Sequence, residues 1–197
     1  YYIVSLAVII EAMLPFFGMF EGRKPKAREI VILAVMCAIG TAGRAAFFMI
    51  PQFKPMAAVV IISGAAFGAE RGFLVGAISM LVSNMVFGQG PWTPWQMFAM
   101  GAVGFLSGII FNGSKRNRYA LTVYGFLSVF CLYGLIMNIS SAVIFQQEVN
   151  LAAIVSYIVS GIPFDAVHAF STAVFLLITA KPILEKLDRV RRKYGFG

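Results

Sequence analysis

The sequence predicts an all-α transmembrane helix bundle, and three observations carry that prediction. The chain of 197 residues is 60% hydrophobic and only 12% charged, whereas a soluble domain is about 45–50% apolar and about 25% charged. Apolar runs follow one another from Tyr1 to Ala180, and most approach the roughly 20 helical residues that cross a hydrocarbon core of about 30 Å. Lys and Arg gather between and after these runs, the distribution of loops kept on the cytoplasmic side of a membrane.

The first run, Tyr1–Phe20, has neither a basic leading region nor a small-residue cleavage motif before Glu21. It therefore reads as an N-terminal transmembrane helix (residues 1–20) rather than a signal peptide. Residues 21–28 form a basic cytoplasmic loop with Arg23, Lys24, Lys26 and Arg28. The next runs are Glu29–Ile50, Met56–Ala69, Gly72–Gly88, Trp95–Asn112, Tyr119–Phe145 and Leu151–Ala180, so that residues 29–180 make the membrane core. Residues 181–197 are a basic cytoplasmic tail.

Met56–Ala69 is short for a span, and one long helix over Met56–Gly88 is the alternative. Parity decides between them. A single span would put Lys115, Arg116 and Arg118 on the opposite side from Arg23–Arg28, whereas a hairpin broken at Glu70-Arg71 puts every basic cluster on one side. All but two of the 16 Lys and Arg residues fall in these segments. The net charge of +8 thus belongs to membrane topology, and nucleic acid is not an expected partner. The N-terminus is expected outside and the C-terminus in the cytoplasm. The outer loops are then Pro51–Pro55, Gln89–Pro94 and Gln146–Asn150.

Small residues recur at helical spacing: Ala34, Ala38, Ala42 and Ala46; Gly64, Gly68, Gly72 and Gly76; Gly101, Gly104 and Gly108. In lipid such stripes let helix backbones approach closely, either within the bundle or, for the alanine face, against another membrane protein. Cys37 and Cys131 fall in apolar runs and read as small buried hydrophobes. His168 is the only histidine, so no metal site is expected.

Ionisable residues within spans are expensive and face a bundle interior or a cavity. They are Glu11, Arg44, Asp165 and His168. Arg44 and Asp165 are expected to form a structural ion pair, with substrate contact as the alternative. Asp165 and His168 share a helix face, and Asn84 and Asn138 are the better polar cavity candidates. Gly113-Ser114-Lys115 lacks the upstream glycine of a phosphate loop, and no catalytic constellation stands out. No enzymatic chemistry is expected of the chain itself. It has no cofactor of its own, and any energy comes from a partner or an ion gradient.

Several segments resemble the substrate-binding S components of energy-coupling factor (ECF) transporters. They are the Ala34-x3-Ala38 face and Ile61-Ile62-Ser63-Gly64-Ala65-Ala66-Phe67-Gly68. Two more, Phe87-Gly88-Gln89-Gly90-Pro91-Trp92-Thr93-Pro94-Trp95-Gln96-Met97-Phe98 and Gly161-Ile162-Pro163-Phe164-Asp165-Ala166-Val167-His168, are most like the cobalamin-type subgroup. The resemblance implies a six-helix S-component-like core preceded by an extra N-terminal transmembrane helix, in a prokaryotic cell membrane. It implies capture of a vitamin, such as cobalamin or a related corrinoid, from outside. The partners would be a transmembrane coupling subunit, contacted by Ala34, Ala38 and Ala42, and two cytoplasmic ATPases that use ATP. Phe53, Asn84, Gln89, Trp92, Trp95, Gln96, Asn138 and Asp165 would surround the substrate. The alternatives are another cargo on the same scaffold, a queuosine precursor or another vitamin, and a proton-coupled secondary carrier using Asp165, His168 and Glu11.

Overall fold

A computed structural model describes residues 2–111 and 116–194. The helices are α1 (Tyr2–Gly22), α2 (Ala27–Ala46), α3 (Met56–Phe67), α4 (Ala69–Phe87), α5 (Thr93–Ile110), α6 (Arg118–Leu127), α7 (Gly134–Phe145) and α8 (Leu151–Tyr194). A π-helical segment, Ser128–Tyr133, fuses α6 and α7 into one rod. Lys115, which belongs to the basic cluster of Arg116 and Arg118, and the Gly113-Ser114 pair lie outside the described residues. Four stretches are long and apolar enough to cross a membrane: Ala27–Ala46, Ala69–Phe87, Arg118–Phe145 and Leu151–Lys193. The chain is a multi-pass, all-α membrane bundle.

The short helix α3 occupies the centre. All 12 of its residues are buried, so it meets other helices rather than lipid. It ends at Gly68, whose φ of 98° lies in the left-handed region that glycine enters without penalty. The chain turns there, two residues ahead of the expected break at Glu70-Arg71, and resumes as α4.

Glycines explain why α3, α4 and α5 pack so closely. A Cβ on Gly64 or Gly72 would strike the Gly104 carbonyl, and one on Gly76 the Met100 carbonyl. The glycine stripes are therefore spent inside the bundle. The alanine stripe is not: Ala34, Ala38, Ala42 and Ala46 are all exposed along α2.

Helix α1 leans on α4 and α5. Phe16 stacks on Phe73 with ring centres 3.9 Å apart and meets Phe105 edge-on at 5.1 Å, while Ile9 and Met13 complete a small apolar cluster with Phe73 and Ala77. Glu11 is on the exposed side of α1. Helix α8 runs unbroken through Pro163 and Pro182 to Tyr194, so residues 181–194 extend the last span as helix. Cys37 is buried as expected, but Cys131 is exposed.

One end of the bundle is tied together by ion pairs. Arg23 meets Glu70 at 2.5 Å, Arg71 meets Glu29 at 2.5 Å and Arg116 meets Asp188 at 2.7 Å. Arg71 also donates to the Phe67 carbonyl at 2.8 Å, and Arg191 to that of Ala66 at 3.4 Å. These contacts bring the α1–α2 turn, the α3–α4 turn, the start of α6 and the end of α8 to the same end, as the hairpin reading requires.

Candidate functional site

The two basic residues outside those clusters are Arg44 and Lys54, and both reach one cavity at the opposite end of the bundle. The cavity has a volume of about 100 Å³. Helix α2 contributes Arg44, the following loop Gln52 and Lys54, α3 Met56, α4 Met80, α5 Gln96, the π segment Tyr133 and α8 His168.

Arg44 sits in the last turn of α2, where a cation suits the negative end of the helix dipole. Its Nη1 donates to Ser83 Oγ at 2.8 Å and to Asn84 Oδ1 at 2.9 Å. Its guanidinium lies 5.3 Å from the centre of the Phe87 ring. The Asn84 amide donates in turn to Thr93 Oγ1 at 3.1 Å and to Gln96 Oε1 at 2.7 Å. Asn84, only 1% exposed, thus locks three elements with neutral groups. Gln96 has its oxygen occupied, which leaves its NH₂ as a donor.

Tyr133, the last residue of the π segment, meets His168 edge-on with ring centres 5.1 Å apart. π-Helical turns are frequent at functional sites because the extra residue re-aims the face that follows. Lys54 lies in the loop between α2 and α3, where burial, and then the Arg44 charge, hold its ammonium below the usual lysine range.

The expected Arg44–Asp165 ion pair is absent. Arg44 is satisfied by Ser83 and Asn84 of α4, whereas Asp165 accepts from Asn138 Nδ2 at 2.7 Å and packs against Gly134. The end of α2 leans on α4, and the π segment swings the start of α7 onto Asp165. Tyr133 lies within electrostatic reach of both charges.

The other expected substrate residues divide. Gln96 lines the cavity and Asn84 holds Gln96 in place. Phe53 packs with Phe47 at 6.0 Å and Phe175 at 5.4 Å. Asn138 and Asp165 pair with each other. Gln89 is exposed, and Trp92 is half-buried over Gly90; neither lines the cavity. Trp95 turns towards α1, against the Phe73 cluster, with its indole Nε1 buried and unpartnered among the described residues. Lys54, Gln52, Met56, Met80 and Tyr133 were not expected in the site. Lys54 had a signal: with Arg44, it is the cation that the basic clusters leave over.

A model of the family described as ECF-type riboflavin transporter, S component, matches residues 24–188, beginning just beyond α1. The UPF0397 protein of Vibrio atlanticus (strain LGP32) is 33% identical over 97 residues, which are 47% of this chain and 52% of that protein. The match thus spans about half the length of this curated relative. No solved structure matches the chain. The riboflavin-type description lends no support to the finer likeness to cobalamin-type proteins.

Proposed function

We propose that this chain, which belongs to the ECF-type riboflavin transporter S component family, is the substrate-capturing membrane subunit of an ECF importer and takes a flavin-class vitamin. The observation that carries this reading is the polar cavity at the end opposite the ion-paired basic end. By the positive-inside rule the basic end is cytoplasmic, so the cavity faces outward, where a vitamin arrives. Tyr133 and His168 offer ring faces and edges to a planar heterocycle. Gln52 and Gln96 offer amides that complement a ring imide.

The cavity of about 100 Å³ is below the roughly 300–1,000 Å³ of pockets that enclose drug-sized ligands. Binding therefore requires the 47–55 loop and Gln96 to separate. A corrinoid, the cargo first suggested by the tryptophan-proline loop, needs a far wider opening, and Trp95 is committed to α1 packing. The secondary-carrier alternative loses one relay member, since Glu11 is on the exposed side of α1. Energy is then supplied by two partner ATPases through a coupling subunit. That subunit docks on the exposed Ala34, Ala38 and Ala42 face, where small side chains permit close helix approach.

Titration of riboflavin and of cobalamin into the purified chain tests the cargo: saturable quenching of flavin fluorescence is expected, with no calorimetric signal for cobalamin. Cobalamin binding without riboflavin binding would reverse the assignment. Co-purification with a coupling protein and two ATPases tests the class, and proton-coupled uptake by the chain alone would overturn it. For topology, single cysteines replacing the exposed Gln89 and Lys186 are compared in a background lacking Cys37 and Cys131. Only the Gln89 site should react with an impermeant maleimide in intact cells.

A further inference from the structure

The cavity carries two cations and no carboxylate. Arg44 uses a single nitrogen, Nη1, for its hydrogen bonds to Ser83 and Asn84, and both acceptors are neutral; among the described residues its other guanidinium donors have no protein acceptor. Lys54 accepts from Ser171 through its backbone carbonyl, while its ammonium takes part in no ion pair among the described residues. The nearby carboxylate, Asp165, is engaged by Asn138. This is unlike the other end of the bundle, where Arg23, Arg71 and Arg116 each meet an acid.

Two like charges at one cavity raise each other's energy, and half-burial strengthens the repulsion. The fold does nothing to relieve it from within. It instead fixes Arg44 in place through Asn84, Thr93 and Gln96, an arrangement that keeps a guanidinium pointed rather than neutralised. What the site lacks is an anion with several acceptor oxygens, the group for which Arg and Lys donors are suited.

Resting on the S-component reading above, we propose that the cargo bears an acidic group, a phosphate monoester or a carboxylate. That group sits between Arg44 and Lys54 while the ring of the cargo lies against Tyr133 and His168. Riboflavin itself supplies the ring but no such anion. The favoured flavin is therefore a phosphorylated one.

Riboflavin and riboflavin 5′-phosphate differ only in the phosphate, so they isolate its contribution. With the purified full chain, the phosphate ester should bind at least about ten-fold more tightly at low salt. The preference should shrink as salt rises. Lys54→Gln should weaken binding of the phosphate ester by more than it weakens binding of riboflavin, and so remove most of the preference. Arg44→Gln should do the same, with thermal unfolding confirming that each variant is folded. Equal affinity for the two flavins, or a preference unaltered in both variants, overturns the anion inference and leaves the flavin reading intact. Mass spectrometry of the compound retained through purification separates the two ideas when neither flavin binds. A retained acid that is not a flavin supports the anion inference and overturns the flavin reading, and a retained neutral compound overturns the anion inference. Absence of any acidic compound together with failure of both flavins overturns both.

Discussion

Arg71 and Arg44 sit at opposite ends of the same bundle and are treated in opposite ways. Arg71 is 9% exposed and is held by the Glu29 carboxylate and the Phe67 carbonyl, so its charge is matched by the fold itself. Arg44 is half-buried and, among the described residues, meets neutral groups, a serine hydroxyl, an amide oxygen and the Phe87 ring, with Lys54 as a second cation at the same cavity. A charge withdrawn from water and left unmatched is costly. The difference teaches that the fold matches its own charge at the basic end, while at the other end it leaves two cations without an acid among the described residues.

The comparison is best broken at the paired end first. Arg71→Met should strand Glu29 and cost about 3–5 kcal/mol, measured by thermal unfolding in detergent. Adding Glu29→Leu should restore much of that loss, and strict additivity in the cycle would mean that the two residues are not coupled. Next in size, Asn84→Leu should cost about 1–3 kcal/mol, because Gln96 and Thr93 lose a partner in a buried setting. It should also weaken ligand binding by loosening Arg44. An unchanged melting temperature with unchanged binding would show that the network positions nothing.

Arg44→Met sharpens the contrast, since it removes a cation that no acid compensates. Stability should stay within about 1 kcal/mol of the parent while ligand-dependent uptake falls sharply. A collapse like that expected for Arg71→Met would erase the distinction between the two ends. The smallest effect is expected at Arg23, whose side chain is 50% exposed beside Glu70. Glu70→Gln should cost less than about 1 kcal/mol, shrinking further with added salt; a larger, salt-independent loss would mean that this pair is structural in the way Arg71–Glu29 is.

Much of this was legible in the residues. Hydropathy and the placement of Lys and Arg identified a helical membrane bundle, and parity alone required the α3–α4 hairpin that the ion pairs now display. The proline-bounded loop before α3 and the amides of Asn84 and Gln96, expected away from the basic clusters, do lie at the cavity end. The partners of single side chains were not legible. α3 is buried on every side and therefore has no polar stripe by which its rotation could be read. The π segment adds a residue to the α6–α7 rod, which turns the faces beyond it by about 100° relative to a regular helix of 3.6 residues per turn. Arg44 and Asp165 were expected to pair because they lie at similar depths, but depth does not say which way each side chain faces, and Asn138 and Gly134 meet Asp165 instead. Trp95 was read as a ligand plate because the aromatic patch contributed by α1, with Phe16 stacked on Phe73, comes from a distant part of the chain.

The enclosure of α3 also has a consequence for inheritance. Of the helices in this bundle, α1 presents Ile3, Val4 and Val8 to its surroundings, and in lipid a change from one aliphatic residue to another there is close to silent. Along α3 the surroundings are protein, with Val60, Ile61 and Ile62 fully enclosed, and close-packed interiors register even a single methylene. The two helices are similarly apolar, yet drift should run freely along one and be filtered by side-chain volume along the other. Descendants of this chain should vary most where they touch the membrane and least along the short helix that never does.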